Sequence, residues 1–79
     1  MKQCKYIMLD DNIPILFHCG LTHHYMAEGR VKRVTSAGFV SVHGGPEETI
    51  FVSVYGKSVS LNSAPAKDDA YWIEKMLTE

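Results

Sequence analysis

The chain has 79 residues, enough for a single domain, because two domains of half that length would be too short to bury a core. Its hydrophobic fraction of 46% and charged fraction of 22% are those of a folded globular protein and exclude a disordered one. The net charge of −1 argues against nucleic acid as a partner, since binding to phosphates needs an excess of positive charge. The one basic cluster, Arg30, Lys32 and Arg33, is interpreted as a solvated strand end.

The apolar runs near the start of the chain are too short for a membrane span. Tyr6 to Leu9 and Ile13 to Phe17 are separated by Asp10-Asp11-Asn12, and neither approaches the roughly 20 residues that cross a bilayer. The first residues also lack the pattern of a secretory signal. We therefore expect no membrane segment and a cytoplasmic location, where cysteines normally stay reduced.

Residues 4–19 are predicted to form a β-hairpin, because two β-branched and aromatic runs flank Asp10-Asp11-Asn12. A two-residue loop at Asp11-Asn12 predicts four cross-strand pairs: Tyr6 with Phe17, Met8 with Ile15, Ile7 with Leu16, and Cys4 with Cys19. Both faces of this hairpin would then be apolar. A short helix is predicted next, over residues 21–29, with Thr22 as its N-cap and Gly29 at its left-handed end.

Residues 31–61 are predicted to form a three-stranded meander. A turn at residues 44–48 that closes between His43 and Thr49 pairs Val40 with Val52, and a turn at Gly56-Lys57 pairs Val52 with Leu61. The two registers agree and place these residues on one face: Val40, Val42, Ile50, Val52, Val54, Val59 and Leu61. The other face receives Phe39, Ser41, Phe51, Ser53, Tyr55, Ser58 and Ser60.

A helix is predicted from about Pro65 to Leu77, with an apolar stripe at Ala66, Ala70, Ile73 and Leu77. The predicted fold is therefore α+β, an antiparallel β-sheet of a hairpin plus a three-stranded meander in the order ββαβββα, with two helices packed on one face. The sequence leaves open whether the hairpin joins the meander.

The densest group of chemically reactive residues is Cys4, His18, Cys19, His23 and His24. Zinc binds Cys and His in tetrahedral sets of four, so a metal site or a thiol nucleophile at Cys19 is the alternative hypothesis for function. A Cys4–Cys19 disulfide would require an oxidising compartment. The spacing lacks the paired ligands of known zinc motifs, so we predict no metal, no cofactor and no catalytic residue.

Aromatic residues dominate one predicted sheet face. Helices on the opposite side would leave an exposed apolar patch, and such patches usually mark contact with another protein or a second copy. The predicted interface consists of Phe39, Phe51, Tyr55, Tyr6 and Phe17. A sheet that curls would instead bury these rings inside the monomer.

These observations predict a non-enzymatic protein-interaction module that forms a homodimer or binds another protein. In size and style the chain looks like the short accessory proteins of bacteria and their phages, many of which act by binding another macromolecule.

Overall fold

A computed structural model describes residues 2–78, and of Lys2 and Glu48 it describes the backbone alone. Its strands and helices run in chain order as β1 Lys2–Leu9, β2 Ile13–Phe17, α1 His23–Ala27, β3 Val34–Gly44, β4 Ile50–Tyr55 and α2 Asp69–Thr78. The strands form one antiparallel sheet in the order β2-β1-β3-β4, so the hairpin does join the rest of the sheet, through β1 and β3. The α+β class and the order ββαβββα are confirmed, with the fifth β-element reduced to a single bridge between Ser58 and Ser63.

The first hairpin has a register one residue away from the predicted one. Leu9 pairs with Ile13, which leaves a three-residue loop, and Lys5 rather than Tyr6 lies opposite Phe17. The loop is longer because Asp10 and Asp11 both adopt left-handed backbone conformations, with φ of 49° and 66°. A shift of one residue exchanges faces, since side chains alternate along a strand. Tyr6 therefore lies on the opposite face of the sheet from Phe17.

The β3–β4 hairpin is shifted by two residues from the prediction, which changes partners and preserves faces. Val40 pairs with Val54 rather than Val52, because the turn is closed by a hydrogen bond between Gly45 and Thr49 and not between His43 and Thr49. A 3₁₀ turn over Pro46–Glu48 fills this connection. The predicted division of β3 and β4 into a valine face and an aromatic face is therefore correct.

The predicted third strand of the meander does not pair with β4. Residues 58–63 instead form a turn. The Ser58 hydroxyl accepts the Leu61 amide at 3.2 Å, and the Ser58 backbone pairs with Ser63. Asn62 completes the turn in a left-handed conformation with φ of 52°. As a result Val59 is solvent-exposed, and Leu61 packs on the opposite face from the one predicted.

The two helices lie on opposite faces of the sheet, not on one face as predicted. We name the two faces of the sheet after the helices that cover them. On the α2 face, Ile73 packs with Tyr6, Met8 and Val40, and on the α1 face, Met26 packs against a second cluster. That second cluster consists of Ile7, Leu9, Phe17 and Ala37. The reason is that β1 is apolar on both faces from Tyr6 to Leu9 and these four side chains are buried, so each face needs its own cover.

The helices themselves follow from local signals. Thr22 caps α1 by accepting the Tyr25 amide at 3.0 Å, and Gly29 follows with φ of 77°, as predicted. The second helix begins at Asp69, four residues after the predicted Pro65, because residues 66–69 form a turn closed by Asp69 and Ala66. Within residues 2–78, no helix is long and apolar enough to cross a membrane.

Candidate interaction surface

A row of four rings crosses the α1 face of the sheet. Phe17 meets His23 edge to face with centroids 5.4 Å apart, and His23 meets Phe39 in the same manner at 5.7 Å. Phe39 then stacks on Tyr55 at 5.7 Å with only 22° between the ring planes. Edge-to-face and offset-stacked pairs are the favoured arrangements of aromatic rings. The row therefore connects the buried hairpin to the edge strand β4.

His23 anchors the centre of the row. Its Nε2 donates a hydrogen bond of 2.8 Å to the Gly38 carbonyl, which fixes the protonated ring nitrogen because a carbonyl only accepts. The side chain is buried, so this bond satisfies a polar group that would otherwise be costly to desolvate. The Thr22 cap positions His23 as the first residue of α1. The short helix thus places one ring edge to face against Phe39.

Exposure increases along the row towards β4. Phe17 is 7% exposed beneath α1, Tyr55 is 42% exposed, and Phe51, four residues before Tyr55 on the same face of β4, is 59% exposed. The Phe51 ring lies directly on the Gly45 backbone, where an added Cβ would come within 2.6 Å of it. We call Phe39, Tyr55 and Phe51 the aromatic strip. α1 covers the hairpin side of the face and leaves this strip open.

Basic and hydroxyl groups border the strip. Lys5 Nζ lies 5.8 Å from the centre of the Phe39 ring and donates to the Leu21 carbonyl at 2.9 Å. A shallow cleft beside Phe39 is lined by Lys5, Thr22, His23, Phe39, Lys57, Val59 and Ser60. Cations next to an aromatic face add about 0.5–1 kcal/mol at exposed sites, so the strip has a mixed apolar and basic border.

Three of the five predicted interface residues lie on the same face of β3 and β4, and the other two are buried elsewhere. Phe39, Phe51 and Tyr55 form the aromatic strip. Tyr6 belongs to the α2 face and has no exposed area, and Phe17 is buried beneath His23. Tyr6 was misplaced because the one-residue register shift of the hairpin exchanged its face. Including Tyr6 and Phe17 in the interface was therefore wrong.

A buried polar cluster on the α2 face was not predicted from the sequence. Tyr6 OH and Ser36 Oγ donate to Asp69 Oδ2 at 2.6 and 2.7 Å, and the Ala66 amide donates to the same oxygen at 2.9 Å. Burial raises the pKa of Tyr6 far above its ordinary value, and the hydrogen bond to Asp69 and its negative charge add to the rise. All three side chains are enclosed, so the cluster joins α2 to the sheet. No spacing rule relates residues so far apart in the chain.

The Cys and His residues of the alternative hypothesis are dispersed. Cys4 is buried on the α2 face, whereas Cys19 is exposed and its thiol donates to the Gln3 carbonyl at 3.7 Å. His18 Nδ1 accepts the Gly20 amide, His23 donates to Gly38, and His24 is exposed. Among residues 2–78, no group of three or more His, Cys, Asp or Glu side chains is close enough to hold a metal ion. The predicted cross-strand pairing of Cys4 with Cys19 was wrong, because the register of the first hairpin is shifted by one residue.

The basic cluster is partly neutralised by contacts within the chain. Lys32 Nζ forms an exposed ion pair with Asp10 at 3.4 Å, and Arg30 Nε donates to the Met26 carbonyl at 2.9 Å. Arg33 is exposed, and its carbonyl accepts the Asp10 amide. These groups lie around the hairpin turn and α1, away from β4.

Comparison with protein-family models, with curated proteins and with solved structures found no match.

Proposed function

We propose that this protein is a non-enzymatic protein-interaction module that associates with a second copy of itself through the aromatic strip. The observation that carries the proposal is the exposure of Phe51 and Tyr55, at 59% and 42%, on a face where Tyr55 ends a row of four rings in mutual contact. Aromatic residues on a preorganised surface lose little entropy on binding and are enriched where proteins contact each other.

The small size of the chain supports the same proposal. A domain of this length buries a smaller share of its surface than a larger one, and association with a partner often supplies the missing stability. The net charge of −1 opposes self-association only weakly. The proposal includes a cytoplasmic setting for an accessory protein of a bacterium or phage, where the exposed Cys19 thiol would stay reduced.

The test is the mass in solution of the purified chain under reducing conditions, measured by light scattering over a range of concentrations. The wild type is expected to be a dimer, and Phe51→Asp is expected to raise the dissociation constant at least ten-fold while leaving the circular dichroism spectrum unchanged. Tyr71→Asp is the matched control, because Tyr71 is an aromatic residue of nearly equal exposure, 58%, on α2.

A wild type that stays monomeric at the highest concentration would overturn the proposal, as would equal weakening by the two substitutions. If Phe51→Asp fails to fold, Phe51→Ser removes the ring without adding a charge and is judged by the same criterion.

A further inference from the structure

The two edges of the sheet are protected to different degrees. The edge strand β2 contains Pro14, which has no amide hydrogen to offer to an incoming strand. The other edge strand, β4, has the sequence IFVSVY, with no proline, glycine or charged residue. Among residues 2–78, no strand pairs with the outer edge of β4. An unpaired edge without such protection is a template for another strand.

The surroundings of β4 leave room for an added strand. An open groove of about 680 Å³ lies between the first half of β4 and the end of α2, and it is lined by residues 49–53 together with Glu74 and Thr78. On the α1 face the aromatic strip is exposed. Because side chains alternate along a strand, an added strand would place one set of side chains in the groove and the other beside Phe51 and Tyr55.

We propose that the second copy docks by strand addition, with β4 pairing antiparallel to β4 of the other copy around a two-fold axis near Ser53. The two four-stranded sheets then form one continuous antiparallel sheet. This inference rests on the proposed function and specifies how the self-association occurs.

The sequence of β4 is complementary to itself in this arrangement. With Ser53 opposite Ser53 of the other copy, Phe51 lies opposite Tyr55 and Val52 opposite Val54. Directly opposed residues of an antiparallel pair share a face, so aromatic meets aromatic and valine meets valine, which are favourable cross-strand pairs. A two-fold axis repeats each of these contacts.

The charges at the ends of β4 also favour the antiparallel orientation. Glu47 precedes the strand, and Lys57 follows it, and both are exposed. Antiparallel pairing brings the Lys57 end of each copy to the Glu47 end of the other, whereas parallel pairing would align like charges.

Two measurements separate this edge pairing from a face-to-face dimer. The first is amide hydrogen exchange at concentrations below and above the dissociation constant. On association, the outward-pointing amides of β4 are expected to slow at least ten-fold, while those of β2 remain unchanged, because only new strand hydrogen bonds protect an edge.

The second is cross-linking with a short bis-maleimide in a Cys19→Ser background. Ser53→Cys is expected to give a covalent dimer. Gln3→Cys is the matched control, because Gln3 is exposed and lies in the same cross-strand row of the α1 face, through Ser41, but two strands further in. At about 4.8 Å per strand, edge pairing keeps Gln3→Cys out of reach of its copy.

Protected β4 amides together with cross-linking at Ser53→Cys alone would support the inference. A dimer that is weakened by Phe51→Asp, yet has unprotected β4 amides or cross-links equally at Gln3→Cys, would overturn edge pairing and leave the proposed function standing. A chain that is monomeric at every concentration would overturn both.

Discussion

The hydroxyl of Tyr6 donates a hydrogen bond of 2.6 Å to the Asp69 carboxylate, 63 residues further along the chain. Both side chains are buried, so this bond fastens the first residue of α2 to the centre of β1. Ser36 of β3 donates to the same carboxylate oxygen. A buried carboxylate of this kind is tolerated because its hydrogen bonds replace the water it has lost.

Tyr6→Phe is expected to lower the free energy of unfolding by about 1.5–3 kcal/mol, the range for hydrogen bonds to a charged group. The substitution keeps the ring and removes only the donor. Urea denaturation followed by circular dichroism measures the change. Tyr71→Phe is the control, since Tyr71 is exposed and its change should stay within about 0.5 kcal/mol. If Tyr6→Phe had the same urea midpoint as the wild type, the hydrogen bond would make no net contribution to the free energy of unfolding.

Stability is expected to fall as the pH rises above about 10. Burial and Asp69 hold the pKa of Tyr6 well above the ordinary value of 10.0, so the folded protein keeps this proton while the unfolded chain releases it. The Tyr6 contribution is complete below pH 10 and decreases by about 1.4 kcal/mol per pH unit above it. Urea midpoints measured from about pH 9 to 11 should therefore fall more steeply for the wild type than for Tyr6→Phe. Parallel curves would contradict the assignment.

His23→Ala is expected to destabilise the fold by about 2–4 kcal/mol, because it removes a buried hydrogen bond to the Gly38 carbonyl and the ring between Phe17 and Phe39. His24→Ala is a control at the adjacent position, where the side chain is exposed. Thermal unfolding of the two variants tests the difference. Equal melting temperatures would show that α1 does not support the aromatic strip.

Gly38→Ala is expected to destabilise the fold by about 1–3 kcal/mol through overpacking. A Cβ there would lie 2.8 Å from Pro65 Cγ and 3.0 Å from the Tyr55 carbonyl oxygen, where the chain after β4 crosses β3. Gly44 lies in the same strand, and a Cβ there meets nothing within 4 Å, so Gly44→Ala should leave the urea midpoint unchanged or raise it. A loss for Gly44→Ala equal to that for Gly38→Ala would contradict the packing argument.

Alternation along the strands was sufficient to predict which faces β3 and β4 present. Val40 and Val52 share the α2 face, and Phe39 and Tyr55 share the α1 face, although each residue has a different partner from the one expected. The faces are unchanged because side chains alternate along a strand, so a shift of two residues leaves each side chain on its original face. In the first hairpin the shift was one residue, and Tyr6 and Phe17 were separated. The length of that loop depended on the backbone conformations of Asp10 and Asp11, which residue type permits but does not impose.

The amino-acid pattern established the α+β class, the order of the elements, the Thr22 cap and the aromatic content of the open face, because these depend on neighbours within a few residues. Folding in three dimensions determined that the helices cover opposite faces, that residues 58–63 turn back rather than extend the sheet, and that Tyr6, Ser36 and Asp69 meet. These features join residues far apart in sequence. Their energies depend on the burial of both faces of β1, and this burial exists only once the sheet and both helices have packed together.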